Sequence, residues 1–147
     1  MDLHTPAQRR FNMSRVRSKD TGPEMLLRTA LFARGFRYRL HYRALPGCPD
    51  LVFPGLHAVM FINGCFWHGH GCPRSKLPTT RREFWTAKIA ANQARDRRNI
   101  DELTKAGWKT SVVWECSLRG PSRKPIEGLL DTIGHWLKSG DMCQLSI

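Results

Sequence analysis

Hydrophobic and polar positions along the 147 residues fall into two periods. Leu26, Leu27, Ala30 and Leu31 recur at the three-and-four spacing of a helix face, behind Thr21-Gly22-Pro23-Glu24. Thr21 as N-cap with Glu24 three residues on is a capping-box pattern, so a helix is expected to open here and stop near Gly35. Residues 36–42 alternate apolar or aromatic residues with arginine, which predicts a strand with one basic face. Pro46-Gly47-Cys48-Pro49 forces a turn. Asp50-Leu51-Val52-Phe53 then reads as a short buried strand, and residues 57–62 as its hairpin partner across Pro54-Gly55. The longest helix is expected over residues 81–106, capped by Thr79 or Thr80 and closed by Gly107. Phe84, Trp85, Ile89, Ile100 and Leu103 give it a partly apolar face, while Asn92, Asp96 and Asn99 form a polar ridge beside Arg95, Arg97 and Arg98. Residues 109–114 read as a strand and residues 125–137 as a final amphipathic helix. This order predicts an α/β fold, a single-domain mixed β-sheet flanked by helices.

One stretch fits neither period: Phe61-Ile62-Asn63-Gly64-Cys65-Phe66-Trp67-His68-Gly69-His70-Gly71-Cys72 puts two thiols, two imidazoles and two large aromatics into one loop. Cys65, His70 and Cys72 carry the sulfur and nitrogen donors that zinc prefers, and Cys116, after Val112-Val113-Trp114, is the natural fourth ligand of a structural site. The plainer alternative is a disulfide or unconnected thiols.

Charge sharpens the picture. With 24 Lys and Arg against 12 Asp and Glu, the net charge of +12 predicts attraction to a polyanion. Residues 1–20 form a basic arm, where Met13, Arg15, Arg17 and Lys19 are expected either to order on DNA or to remain a solvated tail; residues 21–147 form the folded domain. No apolar run reaches the roughly 20 residues of a membrane span, and the first ten residues lack a signal-peptide core, so a cytoplasmic protein is expected. Five cysteines without an export signal favour metal ligation over a disulfide framework, leaving Cys48 and Cys143 as structural thiols.

Gly64-Cys65-Phe66-Trp67-His68 followed by His70 and Cys72, with Trp114-Glu115-Cys116 downstream, resembles the very-short-patch repair (Vsr) endonucleases over about residues 13–118. That resemblance implies the PD-(D/E)xK nuclease (restriction-endonuclease-like) layout and an enzyme that nicks one strand of DNA beside a T·G mismatch. It assigns His68 to catalysis and His70 to the zinc, a choice the residues alone leave open, His68 otherwise being a spare ligand or a phosphate contact. It also implies that the N-terminal segment reaches the minor groove and that Phe66, Trp67 and Trp85 wedge between base pairs; burial beneath the zinc site is their alternative. Glu24 is first of all a helix cap, and only the resemblance makes it an acid near a catalytic metal. Two departures stand out: Phe61-Ile62-Asn63 lacks the usual Glu-x-Lys of that fold, and Ile62-Asn63 replaces the Thr-His common in Vsr enzymes.

Phosphodiester hydrolysis needs a divalent cation and a proton acceptor. Asp50 offers a hard oxygen suited to magnesium, the backbone carbonyl of Ile62 a second, His68 a base, and Asp96 a partner for the other ring nitrogen, unless Asp96 pairs with the neighbouring arginines. The expected protein is a monomeric, magnesium-dependent, zinc-stabilised mismatch endonuclease acting on T·G-containing duplex DNA, with mismatch-repair proteins and a repair polymerase as further partners. The rivals are a restriction-type nuclease and a non-catalytic zinc-stabilised DNA-binding module.

Overall fold

The computed structural model describes residues 5–8, 19–141 and 144–147. Met13, Arg15, Arg17 and Cys143 lie outside the described residues.

Helix α1 spans Gly22–Ala33, and the Thr21 hydroxyl accepts the N–H of Glu24 at 3.3 Å, as the cap pattern requires. Pro23 sits in the first turn, where a missing N–H goes unused. Glu24 does not close the capping box on Thr21: its carboxylate accepts the N–H of Asp20 instead, at 3.2 Å.

Of the expected first strand only Arg39–Leu40 forms regular strand, as β1, and both residues are exposed. The left-handed backbone of His41, φ 45°, ends it. Phe36 and Tyr38 pack edge-on against Phe53 at centroid distances of 6.5 and 5.9 Å.

Strand β2, Leu51–Phe53, forms the expected hairpin with β3, Ala58–Asn63, around a short turn at Pro54–Leu56. Helix α2, Arg82–Lys105, starts later than its threonines suggested: Arg81 is the N-cap, left-handed at φ 56° and with no side-chain cap. Its guanidinium lies 4.2 Å over the ring of Phe84, which is 44% exposed and so not on the buried face assigned to it.

Strand β4 spans Lys109–Trp114. Helix α3, Glu115–Leu118, and the terminal strand β5, Leu145–Ser146, are too short for a periodic signal; α4, Ile126–Lys138, is the expected final helix.

The sheet order is β1-β2-β3-β4-β5. The β1/β2 and β2/β3 pairs are antiparallel, while β3/β4 and β4/β5 are parallel. A parallel pair needs a long crossover, and here the Cys/His loop and α2 supply it.

Alternation along the strands divides the core. Leu51, Phe53, Ala58, Met60 and Val113 pack with Leu27 and Leu31 of α1 and with Leu129, Leu130, Ile133, Trp136 and Leu137 of α4. Val52 and Val59 face the other way, onto Leu103 of α2.

Five residues of α4 are buried but only Ile89 and Leu103 of the 24-residue α2, so hydrophobic burial holds α2 far less firmly. Polar contacts from Asn92, Gln93 and Asp96 to the loop after β3 add to it. Lys109, 4% exposed, spends its ammonium on the carbonyls of Trp136 and Ser139 at the C-terminal end of α4, where a cation is favoured. Among the described residues no helix is long and apolar enough to cross a membrane.

Candidate active site and metal knuckle

The loop after β3 folds back on itself through backbone bonds from His68 N to Gly64 O (3.2 Å) and His70 N to Cys65 O (3.0 Å). Gly69 and Gly71 take φ of 60° and 87° to permit it. The consequence is convergence: the ligand atoms of Cys65, His70, Cys72 and Cys116 all lie within 4.8 Å of one another. His70 Nδ1 is 3.5 Å from Cys116 Sγ. A tetrahedral centre bound through sulfur at about 2.3 Å and nitrogen at about 2.0 Å separates those donors by about 3.5 Å, so the geometry fits an ion.

The protonation chemistry fits as well. Burial pushes the Cys65 thiol up to about 12, so its thiolate needs a cation beside it. Burial also holds the His70 imidazole below its ordinary range, favouring the neutral ligand form. The His70 ring stacks on Trp114 at 4.1 Å, and Cys116 N–H donates to Cys65 Sγ at 3.4 Å. Glu115 accepts from both Arg74 and Arg119, tying α3 to the knuckle. The four described cysteines are free thiols.

Beside the knuckle opens a cavity of about 410 Å³ on the α2 face of the sheet. Lys19, His41, Arg43 and Cys48 line it from the first part of the chain, Phe61, Ile62 and Asn63 from β3, and His68, Asp96 and Asn99 from the knuckle and α2, with Asp50 among them. Asp50 and His68, 18 positions apart in the chain, therefore share one cleft.

Strand β2 pairs with β3 only as far as Leu51 opposite Met60, so Ile62 projects past it, and its N–H donates to Asp50 Oδ2 at 2.7 Å. A strand residue points its N–H and carbonyl toward the same edge, which brings the Ile62 carbonyl to the Asp50 side. Burial raises the Asp50 carboxyl to about 6; the Ile62 N–H opposes this, nearby Glu24 adds to it, and His41 and His68 counteract it. A carboxylate so strained for charge is a natural place for a cation.

His68 Nδ1 lies 2.6 Å from Asp96 Oδ2. The carboxylate can only accept, so Nδ1 carries the proton and Nε2 is left as the basic nitrogen. Asp96 thus turns to the histidine rather than to its neighbouring arginines. Glu24, 2% exposed, is saturated: it accepts from Asp20 N–H and Arg28, and both its oxygens lie near His41 Nε2, at 2.9 and 3.1 Å. It reaches the cleft through His41 and through its effect on Asp50.

Phe66, Trp67 and Trp85 do come together, as an edge-to-face triangle with centroids 5.2, 5.3 and 5.7 Å apart. All three are half-buried, so none is sealed beneath the knuckle. Phe84 extends the cluster at 5.1 Å from Trp85.

Several participants escaped the sequence. His41 sat inside an apparent strand alternation, and only the fold brings it to the cleft. Asn92 donates to Trp67 O at 2.9 Å and Gln93 to Gly69 O at 3.0 Å; the polar ridge at 92, 96 and 99 signalled the first but not the second. Cys48, expected as a structural thiol, is instead exposed on the cleft, because the turn around it, with Gly47 at φ 76° and Cys48 at φ 49°, bulges away from the core.

Comparison with known proteins agrees with this geometry. Residues 1–74 match the family described as DNA mismatch endonuclease Vsr. The chain is 50% identical over 132 residues to the type II nicking enzyme V.XorIIP of Xanthomonas oryzae pv. oryzae, covering 88% of this chain and 97% of that one. It is 41% identical over 136 residues to the DNA mismatch endonuclease Vsr of Escherichia coli K12, covering 92% and 87%. With the type II nicking enzyme V.NmeAIP of Neisseria meningitidis it shares 45% identity over 118 residues, 80% and 84% of the two chains. A Cys/His knuckle packed beside a cleft of Asp50, His68 and Asp96, carried on a chain this similar, places the protein in the Vsr family of DNA mismatch endonucleases.

Proposed function

We propose that this DNA endonuclease nicks one strand 5′ of the T in a T·G mismatch within a short sequence context, opening very-short-patch repair of deaminated 5-methylcytosine. The observation that carries the reading is the meeting of Asp50 with the His68–Asp96 pair in one cleft beside an aromatic cluster. Relatives named as nicking enzymes support cleavage of a single strand.

Zinc in the Cys65, His70, Cys72 and Cys116 set would be structural, since four protein donors leave no open position. Asp50 and the Ile62 carbonyl would hold magnesium, which at that place would offset the charge developing on the phosphate. His68 Nε2 accepts the proton of the attacking water, while Asp96 fixes the tautomer and balances the imidazolium that forms. Glu24, through His41 and Arg28, braces the opposite side of the cleft.

Phe66, Trp67 and Trp85 stack into the duplex at the wobble pair, whose weaker stacking lowers the cost of opening the step. The arm at residues 1–20, with Met13, Arg15, Arg17 and Lys19, contacts the duplex as well. Lys19 already lines the cleft, and the +12 charge supplies the general attraction.

The test is a nicking assay on matched and T·G duplexes with magnesium added and withheld, using the intact protein and Asp50→Ala. The intact protein is expected to nick one strand of the T·G duplex only with magnesium, and Asp50→Ala to bind without nicking. Equal cutting of matched DNA refutes the repair reading; cutting by Asp50→Ala refutes the assignment of the cleft.

A further inference from the structure

Three consecutive loop residues are each gripped by α2: the Trp67 carbonyl by Asn92, the His68 ring by Asp96 and the Gly69 carbonyl by Gln93. The last of these has no assigned purpose. The loop also lies close against the helix here, since a Cβ on Gly69 would stand 2.4 Å from Gln93 Nε2 and 2.7 Å from Ile89 Cγ2. Gly69 is left-handed at φ 60°, so glycine satisfies both the close approach and the backbone turn. A carbonyl only accepts, which sets the Gln93 amide with its nitrogen toward Gly69. Ile89, one of only two buried side chains in α2, is the apolar contact at this point, and Gln93 supplies the directional one.

We infer that Gln93 is a positioning residue for nicking: by clasping the Gly69 carbonyl it fixes the one residue between His68 and the knuckle ligand His70. The knuckle ties down the loop at His70, and Asp96 orients the His68 ring, but neither sets the height of the intervening peptide above α2. Adjacent Cα atoms are 3.8 Å apart across one stiff peptide, so any lift of Gly69 passes directly to His68. A displacement of about 1 Å at a catalytic group is enough to slow a reaction by up to a hundredfold. The inference rests on His68 acting as the base, as proposed above.

The test uses the full-length, zinc-loaded protein with Gln93→Leu, Gln93→Glu and Gln93→Lys, and His68→Ala as control. The readouts are the single-turnover nicking rate at saturating T·G duplex, duplex Kd, zinc per chain and Tm. Leucine and glutamate remove the donor at similar size and are expected to slow nicking about tenfold, the upper end for one neutral hydrogen bond, with Kd and zinc content within twofold of the parent. Lysine keeps a donor within reach of the carbonyl and is expected to restore the rate to within about threefold. Unchanged rates in the leucine and glutamate variants overturn the inference, as does a loss of zinc, Tm or DNA affinity that accounts for the slower rate, or a lysine variant as slow as leucine. If His68→Ala nicks normally, the base assignment itself fails, whatever Gln93 does.

Discussion

Asp50→Asn is expected to stabilise the magnesium-free protein while abolishing nicking. The Asp50 carboxyl is raised from 3.8 to about 6, by burial first and by Glu24 in addition, so the folded chain pays for its charge at neutral pH. About two pH units at 1.36 kcal/mol each, discounted for the water that an open cleft admits, leave on the order of 2 kcal/mol. Asparagine keeps the shape and, with its carbonyl toward β3, still accepts the Ile62 N–H that now goes to Oδ2 at 2.7 Å.

The sign follows from proton binding. Between about pH 4 and 6 the folded state holds this proton more tightly than the unfolded state, so stability falls as pH rises through that window, and the cost is complete above it. The variant should therefore melt roughly 6 °C above the parent at pH 7.5 and coincide with it near pH 4. Thermal melts of zinc-loaded protein in magnesium-free buffer, run across this range, measure the difference directly. Magnesium should narrow the gap at pH 7.5 by stabilising the parent alone. A variant less stable than the parent at pH 7.5, or a gap that does not change with pH, would refute the reasoning.

Asp96→Asn removes a charged acceptor 2.6 Å from His68 Nδ1 without changing its size; a bond of that kind contributes roughly 1.5–3 kcal/mol, so single-turnover nicking should slow about 10- to 150-fold with duplex Kd unchanged. A rate within twofold of the parent counts against the pairing. Cys65→Ser should abolish stoichiometric zinc binding, read by metal analysis, and lower Tm well beyond the effect of Cys48→Ser, because Cys65 is fully buried and Cys48 is exposed. Equal effects of the two would contradict the knuckle. Trp67→Ala should weaken binding to T·G duplex by about 5- to 150-fold, the range for one lost stacking partner, and to matched duplex by much less; equal losses on both would show that the ring does not sense the mismatch.

What the sequence alone determined is what short-range physics controls. The Thr21 cap, the Pro54-Gly55 reversal and the Gly107 stop are fixed by local backbone preferences, and the α/β order by two hydrophobic periods. The four knuckle donors were legible because sulfur and imidazole so spaced are costly to explain otherwise. Asp50, His68 and Asp96 could be named one by one, but only the resemblance gave them common work.

Tertiary structure decided the rest. Register ends the β2/β3 pairing at Leu51 opposite Met60, so that Ile62 projects and meets Asp50; the crossover lays α2 against the loop, so that Asp96 and Gln93 grip it; and a left-handed His41 closes the site from a part of the chain whose pattern promised only a strand. Each of these joins residues far apart in the chain, and the free energy that selects such contacts comes from burial and close approach in the folded state, which no local pattern encodes.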